Sequence, residues 1–219
     1  MTKTRTMLAA TMAVVGGFVG TAQATTVIQQ VSFSGQQAAF EFTASTSITC
    51  ADGSTGVASA FGFVSGAEQI FNSTGSPQSI SNGVLMEVDS YFNSCTGVFF
   101  SGDGSVPGGF TPPDKKLDSA AMQGNGFVQD FGSGNLFAFS LDVSIVGSGA
   151  TSSEKSNSHS KITGTTHGNV SISHSKEANS NRQGTATGTI TVDTVTFPSF
   201  DTFFVELISN SSSSLSVSK

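Results

Sequence analysis

From position 137 to 145 the chain places Phe137, Phe139, Leu141, Val143 and Ile145 at every second residue, with Ala138, Ser140, Asp142 and Ser144 between them. A period of two puts all five large side chains on one face of a β-strand and leaves the other face to water. The same alternation runs through residues 38–45, where Ala38, Phe40, Phe42 and Ala44 interleave with Ala39, Glu41, Thr43 and Ser45, and more loosely through 84–92 around Glu87 and Asp89. Residues 57–64 form a run of small residues and Phe. Helical periodicity is weak throughout, and no capped amphipathic run of helical length follows the first two dozen residues. Turn dipeptides punctuate the strands: Asp52-Gly53, Asn82-Gly83, Asp103-Gly104 and Pro107-Gly108-Gly109. Residues 102–116 make the longest Pro/Gly stretch and read as a connection between strands. Residues 120–129 read as the antiparallel partner of 137–145 across a turn at 130–135. The expected fold is all-β: a single antiparallel β-sandwich or flattened barrel of roughly eight to ten strands.

The first residues carry a different signal. Lys3 and Arg5 precede an apolar or small stretch, Met7 to about Gly20, and Ala22-Gln23-Ala24 supplies an A-x-A exit. That stretch is about 14 residues long, against the roughly 20 needed to span a bilayer. Residues 1–24 therefore read as a cleaved secretory signal peptide. Residues 25–219 read as a single β-rich domain, exported to the periplasm or the exterior, with the general look of an exported bacterial β-protein. An exported chain lets Cys50 and Cys95 pair, and a bridge across the 45 positions between them would staple the fold.

Composition excludes several functions. The leader holds two of the nine basic residues and none of the fifteen acidic ones, so the remainder carries a formal charge of −8. Nucleic acid needs a basic patch to neutralise phosphate, and anionic membranes draw on the same attraction. With no Trp and a single Tyr, the chain lacks the aromatic girdles of a lipid-spanning barrel and the usual platforms of a sugar site. The 19 Phe residues, mostly at alternating positions, are assigned to the core. No membrane insertion after leader cleavage, no nucleic-acid partner and no cofactor are expected.

Residues 148–184 are rich in Ser, Thr, Asn, Lys and His. Ser158-His159-Ser160-Lys161 recurs as Ser173-His174-Ser175-Lys176, with Thr166-His167-Gly168-Asn169 between them as a turn. The simplest arrangement is a projecting polar hairpin, with Ile162, Val170 and Ile172 anchoring one face; a polar loop is the alternative. In the hairpin His159 and His174 share a face and are the candidate metal ligands, while His167 sits at the tip. Residues 185–191 present Thr at every second position, as an ordinary strand with Thr outside and Ala186, Ile190 and Val192 inside. No nucleophile elbow is present. Glu41, Glu68, Glu87, Asp89, Asp130 and Asp142 are the carboxylates from which a glycosidase pair would be drawn, and Glu87 and Asp89 would share a strand face. Nothing singles out a pair, so no catalytic residues are assigned and no enzymatic activity is expected. The expected function is that of an exported, non-enzymatic structural or interaction protein at the cell surface or in a matrix, with a protein or surface partner. The alternative is a small secreted ligand- or metal-binding module centred on the His-containing hairpin.

Overall fold

The computed structural model describes residues 27–163 and 170–218, and the leader lies outside them. Among the described residues there are strands and turns but no helix. The strands are β1 (Val27–Thr49), β2 (Thr55–Ser73), β3 (Ser79–Asn93), β4 (Val98–Pro107), β5 (Phe110–Thr111), β6 (Ser119–Asp130), β7 (Leu136–Gly147), β8 (Ser152–Thr163), β9 (Val170–Val192), β10 (Val195–Phe197) and β11 (Asp201–Ser218). All pairings are antiparallel. β1 pairs β2, then β3, β4, β6, β7, β9 and β11 follow in order, and β11 returns to β1. The ring is closed. Of the two architectures expected, the barrel is the one formed.

Alternation explains the interior. Ala38, Phe40 and Phe42 of β1, Val64 of β2, Met86 and Val88 of β3, Phe100 of β4, Met122 and Val128 of β6, Leu141, Val143 and Ile145 of β7, Ile190 and Val192 of β9 and Leu207 of β11 are all buried. Residues of the other parity face out, among them Glu41, Glu87, Asp103, Asp142 and the row Thr185, Thr187, Thr189 and Thr191. The wall is thus apolar inside, while its outside mixes polar side chains with exposed apolar ones such as Leu85, Leu136 and Val146. The assignment of Phe to the core needs correction. Phe61, Phe71, Phe92, Phe99, Phe127, Phe131, Phe203 and Phe204 are exposed. An eight-stranded barrel has room inside for only a few rings per layer, and where two Phe are adjacent, as at Phe99-Phe100, one must point outward.

The stretch 102–116 is not one loop. β4 runs through Asp103-Gly104 to Pro107, and Asn82-Gly83 lies within β3 rather than in a turn. Only the remainder folds over the barrel end. Its anchor is Phe110, whose ring lies against Gly66, where a Cβ would leave it no room. Asn82 holds the Phe110 backbone from both sides: Nδ2 donates to the carbonyl at 2.8 Å and Oδ1 accepts from the N–H at 3.2 Å. Leu117 is fully buried beside this plug despite a left-handed backbone, φ 59°. At the opposite ends of the same strands, Cys50 and Cys95 are joined with Cα atoms 5.1 Å apart. The bridge ties the β1–β2 turn to the β3–β4 turn.

Six strands outrun the barrel. The first parts of β1, β3 and β9, the last parts of β2 and β11 and all of β8 continue as one sheet, the wing, in the order β3-β2-β1-β11-β9-β8. β8 continues the line of β7 along β9 after a kink at 148–151. The serine-rich C-terminal residues are therefore a wing strand, pairing with β1 from Val27 onward.

Candidate binding face of the wing

The polar hairpin forms as expected, β8 against β9, with His159 directly opposite His174 and ring centres 6.0 Å apart. His167 lies outside the described residues. One expectation fails: Ile162 pairs with Ser171, whereas Ile172 pairs with Lys161, so the two isoleucines sit on opposite faces and do not anchor one.

The wing faces follow from the barrel. Residues sharing the parity of the buried Ala38, Leu207 and Ala186 continue the barrel's inner surface outward. On β8 and β9 that inner face carries Lys155, His159, Lys161, His174, Lys176 and Arg182. The outer face carries Glu154 and Glu177, seven serines, two asparagines (Asn179 and Asn181) and Ile162 over the paired stretch. Every cation of the hairpin is on one side and both acids are on the other. Successive same-face rows are about 6.8 Å apart; three hold a lysine, Lys155 beside Ala178, Lys176 beside Asn157 and Lys161 beside Ile172, the His pair fills the row between the last two, and the Ser153–Ser180 row carries no charge. The rows extend across the sheet through Ser211, Ser213 and Leu215 of β11 to Ser34, Ser32 and Gln30 of β1. A trough of about 440 Å³ opens here, with Lys155, Asn157, Lys176, Ser213, Ser32 and Asn72 in its lining.

The cations differ in their partners. Arg182, at the root of the wing, donates to the carbonyls of Gly149 and Lys116 and pairs with Asp118. It locks the kink between β7 and β8 onto the barrel plug, and its charge is already compensated. Lys155, Lys161 and Lys176 make no ion pair among the described residues. The inner face of the wing has one acid, Glu68 on β2, four strands from β8 and bonded by Asn82 Nδ2 at 3.1 Å. Three free ammonium groups thus project from a surface of hydroxyls and amides.

The metal expectation gains geometry but no completed set. His159 and His174 face each other, and no group of three or more His, Cys, Asp or Glu side chains suited to a metal occurs among the described residues. The candidate carboxylates are distributed over β1, β2, β3, β6 and β7. Glu87 stands opposite Asp103 on the convex outer wall, and Asp89 lies in a bulge between Val88 and Tyr91, so it does not simply share a face with Glu87. Asp142 accepts from Gln123 Nε2 at 2.8 Å. Asp130 belongs to a turn, where hydrogen bonds from the Ser133 side chain and backbone hold its carboxyl below the usual aspartate range. No protein family, curated protein or solved structure matches the chain.

Sequence reasoning found the hairpin and its histidines but missed the charged face. The signal was present as parity: Lys155, His159 and Lys161 share one parity, and His174, Lys176 and Arg182 share another, while Glu154 and Glu177 break each series. Parity acquires meaning only once the register is known.

Proposed function

We propose that this is an exported, non-enzymatic interaction protein whose barrel is a rigid mount and whose wing is the contact element. The observation that carries the reading is the sorting of charge across the β8–β9 hairpin. In a chain with 15 acidic and 9 basic residues, chance does not favour every hairpin cation on one face and every acid on the other. Folding does not require it either, because neither wing face has an apolar core to protect. The disulfide and the leader-like N-terminus agree with export to the periplasm or exterior.

The test compares two variants of the full-length chain in cells that export it. Lys155→Glu/Lys176→Glu reverses the inner face, and Glu154→Lys/Glu177→Lys alters only the outer one. The measurement is how much exported protein stays with the cells and their surface material. The inner-face variant is expected in the medium while the outer-face variant and the parent remain bound. Equal retention of all three would sink the reading.

A further inference from the structure

We infer that the trough on the inner face of the wing binds an acidic polysaccharide, a chain of sugars bearing carboxylates. This rests on the wing being a contact element, and it names what the wing contacts. Four properties select the ligand.

The first is charge. Lys155, Lys176 and Lys161 make no ion pair among the described residues and stand one row and then two rows apart, about 7 and 14 Å. That is sparse. Duplex DNA presents a charge every 1.7 Å or so and demands a dense basic track. An isolated carboxylate on every sugar or two meets a sparse comb of ammonium groups without leaving either side crowded.

The second is the surface between the cations. Ser32, Ser213, Asn72 and Asn157 offer hydroxyls and amides that both donate and accept hydrogen bonds. A hydroxyl-rich ligand needs both functions at many points, and phosphate oxygens only accept.

The third is the lack of large aromatic rings. Phe33 borders the trough, as does Glu177, but both have outer-face parity, Phe33 pairing with Phe71 there, and no Phe, Tyr or Trp of the wing strands has the parity of the inner face. Single-stranded nucleic acid relies on aromatic stacking. Neutral sugars need aromatic platforms because they offer no charge to grip, whereas an acidic sugar can be held through its carboxylate. The scarcity of Trp and Tyr, which argues against a neutral-sugar lectin, does not argue against this ligand.

The fourth is shape. The trough spans strands β2, β1, β11, β9 and β8 and has a volume of about 440 Å³, within the range of ligand clefts. A flexible chain can lie along it. The acidic barrel repels a dense polyanion approaching from other sides and confines binding to this face.

The test is affinity electrophoresis of the mature, exported protein through gels containing polygalacturonate or alginate, beside gels containing neutral dextran. A Lys155→Gln/Lys176→Gln variant and a Glu154→Gln/Glu177→Gln variant run alongside. The carboxylated polymers are expected to retard the parent and the outer-face variant, with the dissociation constant rising about tenfold for each lysine removed. Retardation should also fade between about 50 and 300 mM salt, because the cations are exposed. Dextran should have no effect. No retardation by either acidic polymer, equal retardation of the lysine variant, or tighter binding to a single-stranded oligonucleotide or to phosphatidylglycerol vesicles would overturn the assignment. If those lysines still governed retention on cells, the wing would remain a contact element with a different ligand. If they governed neither, both readings would fall.

Discussion

Tyr91 is the buried polar side chain whose position carries the clearest energetic consequence. It is fully enclosed in the barrel, its ring packs on Phe100 with centres 4.9 Å apart, and its hydroxyl finds no hydrogen-bond partner. Burial pushes its pKa above the ordinary tyrosine value. The Asn93 side chain acts the other way, but it spends its carbonyl on the backbone N–H groups of Cys95 and Thr96 and makes no hydrogen bond of normal geometry to the hydroxyl. A buried hydroxyl without a partner costs about 1–3 kcal/mol of desolvation. Tyr91→Phe removes that cost and keeps the ring. Urea denaturation of the variant is expected to show unchanged or higher stability, by up to about 1 kcal/mol. A loss of more than that would mean that the hydroxyl holds an internal water whose bonds it needs.

Between elements, the staple and the plug hold the two ends of the barrel by different means. Cys50–Cys95 closes a loop of 45 positions between two turns, and a closed loop of that length lowers the entropy of the unfolded chain enough to stabilise the fold by about 4 kcal/mol. Cys50→Ala/Cys95→Ala should therefore lower the unfolding free energy by a few kcal/mol, read from denaturation curves with and without reductant. Reductant should bring the parent to the same value. An unchanged midpoint would show that the turns are held together without the bridge. The bridge was legible in the sequence because export and a count of two leave one intramolecular pairing. The β6–β7 hairpin was legible too, since Phe137 to Ile145 alternates without a break. β4 was hidden, because Asp103-Gly104 and Pro107 are turn residues by type and only pairing with Glu87, Met86 and Gly83 of β3 makes them strand. The serine strand at 209–218 was hidden for a related reason. With neither face buried it shows no alternation, and its order comes from neighbours on both sides. The histidine pair was readable from the repeated Ser-His-Ser-Lys, while the cationic face around it needed the register of the wing strands.

At the scale of the whole molecule, β9 joins two regions that ought to differ in stability while sharing one backbone. From Thr185 to Val192 it forms barrel wall: Ala186, Ile190 and Val192 are buried, and β7 pairs along its length. From Ser171 to Gln183 it forms wing: β8 and β11 supply hydrogen bonds on both sides, but serine, lysine, histidine and asparagine supply almost no apolar burial. Hydrogen bonds add little net stability in water compared with buried apolar area. The wing should thus open without unfolding the barrel, hinged near Gly184, where the β7 pairing ends and the Arg182 clamp sits. Native-state hydrogen exchange tests this along a single strand. Amides of 185–192 are expected to exchange only with global unfolding, and those of 172–181 about a hundredfold faster or more after correction for intrinsic rates. Uniform protection along β9 would mean that wing and barrel unfold as one unit. The contact face would then be as rigid as its mount, and ligand binding would have no ordering step to drive.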